Sequence, residues 1–84
     1  MPLTAQFALY PLRAVRLTPI LEEALDAARA AGAAVELGTM SSTLVGTEEQ
    51  VFAALRAAFA AAATKGDVVL VTTVSNACPA ADAG

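Results

Sequence analysis

The chain has 84 residues, 57% of them hydrophobic and 15% charged, which excludes intrinsic disorder and leaves room for a single core. Five basic against eight acidic residues give a net charge of −3 and no basic patch, which argues against binding a phosphate backbone. Histidine is absent, removing the commonest general base and the commonest transition-metal ligand.

Residues 4–10 predict a strand, with Leu3, Ala5, Phe7 and Leu9 on one face and Thr4, Gln6, Ala8 and Tyr10 on the other. Pro11 ends it. Thr18 and Pro19 predict a helix start, Thr18 as the cap and Pro19 at the first helical position, with Glu22 and Glu23 in the first turn. Ile20, Leu21, Ala24, Leu25, Ala28 and Ala31 form its apolar stripe, and Gly32 offers a left-handed stop. Two short strands, 34–38 and 42–46, flank a turn at Thr39, Met40 and Ser41. Thr47, with Gln50 three residues later, predicts a capping box that opens a second helix ending near Thr64. Phe52, Leu55 and Phe59 recur there at helical spacing and read as its core face. Lys65, Gly66 and Asp67 break the helix, and residues 68–75 predict a last strand that is apolar on both faces. Leu3, Phe7, Leu9, Ile20, Leu21, Leu25, Phe52, Leu55 and Phe59 are expected to make one core. Residues 1–79 read as one domain and 80–84 as a frayed tail.

The order β-α-β-β-α-β with right-handed crossovers predicts an α+β, ferredoxin-like sandwich: a four-stranded antiparallel sheet, order 4-1-3-2, with both helices on one face. The other sheet face is then uncovered. The last strand puts Val69 and Val71 on one face and Val68, Leu70 and Val74 on the other, and only one set can meet the helices, which predicts self-association as a sheet-to-sheet homodimer or a homotetramer. The lone Cys78 cannot close an internal disulfide and points to a reducing compartment. No basic, apolar leader is visible, and the longest apolar run, 57–63, is far too short to span a bilayer. The expectation is a soluble cytoplasmic protein with neither membrane nor nucleic-acid partners.

This topology is expected to gather Thr4, Gln6, Thr39, Ser41, Ser42, Thr43, Ser75, Asn76 and Cys78 at one end of the sheet, with Met40 and Tyr10 offering apolar contact. Such neutral donors and acceptors can read a small heteroaromatic ligand. The plainer reading is that Ser, Thr and Asn crowd turns because they bond local backbone. Glu36 is expected on the same face as Gln6 and Tyr10, where it could meet a cationic ligand or simply be a solvated edge carboxylate. Cys78 has no histidine to activate it and reads as a small thiol. Glu22, Glu23, Asp26, Glu48 and Glu49 read as surface and helix-start charges. No P-loop, dinucleotide-binding, CxxC or catalytic-triad pattern occurs, so no catalytic residue, metal ligand or cofactor is expected.

Three stretches stand out: Ala5-Gln6-Phe7-Ala8-Leu9-Tyr10-Pro11-Leu12, Gly38-Thr39-Met40-Ser41-Ser42-Thr43-Leu44-Val45-Gly46 and Ser75-Asn76-Ala77-Cys78-Pro79. In this order they resemble the YkoF-like family of thiamine- and hydroxymethylpyrimidine-binding proteins. The resemblance covers nearly the whole chain. It implies a ferredoxin-like fold, a non-enzymatic role in binding thiamine or its pyrimidine precursor, and assembly of single-repeat members into dimers and tetramers. It places the ligand on the hydroxyl-rich hairpin and the terminal Ser-Asn segment. Two other classes stay open: a structural or regulatory oligomerisation module without a dedicated ligand, and a small dimeric ferredoxin-like enzyme.

Overall fold

In a computed structural model, which describes residues 2–13, 15–38 and 41–77, strand β1 (Pro2–Pro11) leads into helix α1 (Leu17–Ala30) and strand β2 (Ala34–Leu37). Strand β3 (Ser42–Thr47), helix α2 (Glu48–Ala63) and strand β4 (Val68–Ser75) follow. The strands form one antiparallel sheet in the order β2-β3-β1-β4, the expected ferredoxin-like arrangement. Thr39, Met40, Cys78 and the expected tail at 80–84 lie outside the described residues. No helix among the described residues is long and apolar enough to cross a membrane.

Strand β1 is paired on both sides. Ala5 lies between Leu44 of β3 and Val74 of β4, and Phe7 between Ser42 and Thr72. Residues directly opposite one another share a sheet face, so the alternation seen in β1 carries across the sheet. Leu3, Ala5, Phe7 and Leu44 turn toward the helices and are buried. Thr4, Gln6, Ala8 and Tyr10 turn to the open face with Thr43, Val45, Glu36, Val69, Val71, Thr73 and Ser75.

Seven of the thirteen buried core residues are alanine, so the core gains its contacts from close approach of backbones rather than from side-chain volume. Ala24 and Ala28 of α1 and Ala54 and Ala58 of α2 have no exposed surface, and the two helices pack on each other. The capping box on α2 forms as its spacing predicts: the Gln50 N–H donates to Thr47 Oγ1 at 3.1 Å, and the Thr47 N–H donates to Gln50 Oε1 at 2.9 Å. Gly32 adopts φ +105°, the left-handed stop expected after α1.

Three expectations need correction. The buried face of α2 is Val51, Ala54, Leu55, Ala58 and Ala62, one residue out of phase with the expected stripe, and Phe52 and Phe59 are 49% and 42% exposed. The small face wins because it lets α2 sit close to α1 and the sheet, where two phenylalanines would hold it off. Helix α1 begins at Leu17, with Arg16 in the cap position and no side-chain cap. Thr18 is therefore not the cap, and Glu22 and Glu23 lie beyond the first turn. Pro19 fits anywhere in that turn, since its N–H groups have no intrahelical partner to lose. Of the expected core, Leu9 and Leu25 are half-buried against it and Leu21 is also half-buried, so these three edge the core rather than fill it.

Leu44→Ala, at a site with no exposed surface, is expected to cost about 2–5 kcal/mol. Phe59→Ala should cost about 1 kcal/mol or less in the monomer. Urea denaturation of both variants checks the phase of α2: a Phe59 penalty equal to that of Leu44 would contradict it.

Candidate functional site

The unequal lengths of the strands leave a notch beside the sheet. β3 pairs with β1 only from Pro2 to Phe7, whereas β4 pairs with it from Thr4 to Pro11. The last four residues of β1 therefore run on past the hairpin without a β3 neighbour. A cavity of about 260 Å³ lies in this notch. Phe7, Leu9 and Tyr10 line it from β1, and Leu21 and Leu25 from α1. The hairpin closes it with Leu37, Gly38, Ser41 and Ser42. Among the described residues no carboxylate, lysine or arginine lines it; the polar groups are three hydroxyls and peptide units.

The hairpin that shapes this wall is held tightly. The Gly38 N–H donates to the Ser41 carbonyl at 2.8 Å, and a Cβ on Gly38 would stand 2.6 Å from that same oxygen. Beyond β1, Arg13 takes φ 58° and its guanidinium reaches the Asp67 carboxylate at 2.8 Å. The Leu12 N–H donates to the Asp67 carbonyl at 2.9 Å. Asp67 thus pins the segment after β1 to the connection between α2 and β4.

The expected gathering of polar residues at one end does not occur. The β2–β3 turn precedes a strand that runs antiparallel to β1, so it lies beside the second half of β1. β4 ends at the opposite end of the sheet, with Ser75 facing Thr4. Ser42 and Ser75 stand three positions apart along β1, about 10 Å, and on opposite faces. The Ser75 hydroxyl accepts the Ala77 N–H at 2.9 Å, the local turn bond of the plainer reading. Asn76 follows it and is exposed.

Glu36, Thr43, Gln6 and Thr73 form a polar row across the open face, side by side in register. Glu36 does share a face with Gln6 and Tyr10, as expected, but this row is not in the cavity. Of the expected site, Tyr10, Ser41 and Ser42 line the cavity, while Thr39 and Met40 of the same turn lie outside the described residues. Leu21, Leu25, Leu37 and Gly38 are walls the sequence reading did not assign to a site. Leu21 and Leu25 carried a signal: they widen the stripe of α1 beyond the Ile20, Ala24 and Ala28 line that the core uses. Among the described residues no group of three carboxylate, thiol or imidazole side chains is placed to hold a metal ion.

Fold and cavity together define a ferredoxin-like α+β protein with a small, uncharged site between α1 and the hairpin. The chain belongs to the YkoF-related family, whose pattern matches residues 3–81. Among solved structures it is similar to a Streptococcus pneumoniae protein, with a TM-score of 0.83 and 11% identity over 98% of this chain and 93% of that one. It is also similar to a domain of unknown function from Bacillus cereus, with a TM-score of 0.77 and 18% identity over 88% of this chain and 74% of that one. A third similar structure is a Thermotoga maritima protein described as a candidate for thiamine biosynthesis or salvage, with a TM-score of 0.75 and 17% identity over 89% of this chain and 83% of that one. At these identities the likeness shows the fold. No curated protein matches the chain.

Gly38→Ala is expected to open the hairpin turn and destabilise the protein by about 1–3 kcal/mol, read as a lowered urea midpoint. An unchanged midpoint would mean that the turn has room for the methyl group.

Proposed function

We propose that this protein binds thiamine or its hydroxymethylpyrimidine moiety without chemically changing it, and that the pyrimidine ring occupies the cavity between α1 and the hairpin. The observation that carries the reading is the cavity itself: mostly apolar walls, three hydroxyls and no charged side chain. An aminopyrimidine is flat and neutral. It needs in-plane hydrogen bonds, which Ser41, Ser42 and exposed peptide groups of the notch can make, and apolar faces, which Leu21, Leu25 and Tyr10 can provide. An uncharged wall avoids the cost of burying an unpaired protein charge against a neutral ring. At about 260 Å³ the space falls just below the ~300–1,000 Å³ of ordinary ligand pockets, which suits one ring rather than two. The thiazolium of thiamine would then remain at the mouth. Membership of the YkoF-related family and the thiamine-related description of the Thermotoga maritima relative support the same ligand class.

In this reading the polar row of Glu36, Thr43, Gln6 and Thr73 does not touch the ligand. A second copy of the chain covers it, stacking sheet on sheet and taking Val69, Val71 and Tyr10 out of water. Binding without turnover fits a sequence that has no histidine to activate the serine hydroxyls of the site.

Calorimetry with hydroxymethylpyrimidine and with thiamine tests the site. Ser42→Ala and Tyr10→Ala should each weaken binding by about 1–3 kcal/mol, one to two decades in Kd. Thr43→Val and Asn76→Ala, on the open face and at the far end of the sheet, should leave it unchanged. Loss of affinity in the second pair but not the first would move the ligand out of the cavity. Absence of heat with either ligand would favour a structural module.

A further inference from the structure

We propose that the main chain of Leu9 reads the ligand edge-on: its N–H and C=O face the cavity and together take a flat heteroaromatic ring that carries an amino group beside a ring nitrogen. This rests on the reading that the cavity holds the pyrimidine, and it names the contact that selects the ring. In an antiparallel ladder the N–H and C=O of one residue point to the same side, and successive residues alternate sides. Two hydrogen bonds fix which residues of β1 point which way. The Leu12 N–H donates to the Asp67 carbonyl at 2.9 Å, one step beyond the Pro11–Val68 pair, so Leu12 faces β4, and with it Tyr10, Ala8 and Gln6. The Thr72 hydroxyl donates to the Gln6 carbonyl at 2.8 Å, on that same side. Phe7, Leu9 and Pro11 therefore face the other way, toward β3 and the notch. The hairpin agrees. Ser41 accepts the Gly38 N–H and so faces β2, which turns the main chain of Ser42, next in line, to β1.

Ser42 stands opposite Phe7, and there the pairing of β3 with β1 ends. Leu9 is the next residue of β1 on this side, and among the described residues no strand residue stands opposite it. Pro11, the one after, brings a carbonyl but no N–H. Leu9 is thus the last residue of β1 to present both a donor and an acceptor to the notch, and it lines the cavity. At such a position a strand exchanges two hydrogen bonds with a single facing residue. A ring nitrogen beside an exocyclic amine offers the same two at once: the nitrogen accepts the Leu9 N–H and the amine donates to the Leu9 C=O. The ring takes the place of the missing strand residue.

A ring bound in this way lies in the plane of the sheet, with one face toward the helix layer and the other toward the open face. The walls are placed for it. Leu21 and Leu25 of α1 stand on the first side, and Tyr10, which alternates to the open face, on the second. Ser41 and Ser42 close the hairpin end and are left for the other substituents of the ring. A ring that lacks the amine would leave the Leu9 carbonyl covered but unpaired, and a desolvated polar group without a partner costs more than an ordinary hydrogen bond contributes. The cavity therefore selects its ligand by the amine, through a group that no side-chain substitution at position 9 removes short of proline.

Amide hydrogen exchange of the full chain, read residue by residue, tests the contact. In the free chain the Leu9 amide should exchange at least roughly tenfold faster than those of Ala8 and Tyr10, which bond β4, and saturating hydroxymethylpyrimidine should slow it by a similar factor. Calorimetry is the second measurement. Hydroxymethylpyrimidine with a methyl in place of its amine should bind roughly ten- to a hundredfold more weakly. A chain assembled by ligation with an ester oxygen in place of the Leu9 N–H keeps the leucine side chain; it should bind the native pyrimidine about tenfold more weakly and keep the circular dichroism of the natural chain. A Leu9 amide as protected in the free chain as those of Ala8 and Tyr10 overturns the proposal whatever the chain binds. Equal affinity for the pyrimidine and its methyl analogue, with the Leu9 amide unchanged and Tyr10→Ala still weakening both, overturns the edge contact and leaves the cavity reading standing. Absence of heat with the pyrimidine overturns the two together.

Discussion

The structure depends on how β1 is shared between its two neighbours. β3 covers its first six residues and β4 its last eight, so the sheet is staggered about its central strand. The overlap, Thr4 to Phe7, is the only part of β1 with strands on both sides, and it carries Ala5 and Phe7 at the base of the core. The hairpin stops short of the end of β1, and the notch it leaves becomes the cavity. On the other side, β4 ends the sheet, and among the described residues no strand pairs with its outer edge.

Alanine makes the second decision. A core in which more than half the buried residues are alanine must be thin, and it holds together because helix and strand backbones approach closely. That closeness leaves no room for Phe52 and Phe59 beneath α2. They are displaced to its exposed side. The same economy leaves Leu21 and Leu25 of α1 only half-buried and available to line a cavity. In a domain of this size the large side chains not needed for the core stay at the surface.

Electrostatics plays a small part. The three ion pairs among the described residues, Arg13 with Asp67, Arg29 with Asp26 and Lys65 with Glu23, are exposed and contribute little to stability. The first lies beside the end of β1 that carries the cavity, where Arg13 has a left-handed φ of 58°. Hydroxyls and peptide groups, rather than charges, set the chemistry of that end.

Much of this was legible in the residues alone. Element order, the Thr47–Gln50 capping box, the Gly32 stop, the two faces of β1 and the two-faced character of β4 follow from local spacing and backbone preference, which act over a few residues. The family resemblance was legible in three short stretches. The phase of α2 was not, because a helix rich in alanine on every side presents little contrast, and its partners Ala24 and Ala28 are far away in sequence. Nor was the parting of Ser75 and Asn76 from the hairpin, since it depends on the direction and register in which strands pair. The cavity belongs wholly to the tertiary structure: it is a space left by unequal pairing lengths, and only the assembled sheet sets how far each strand extends past its neighbour.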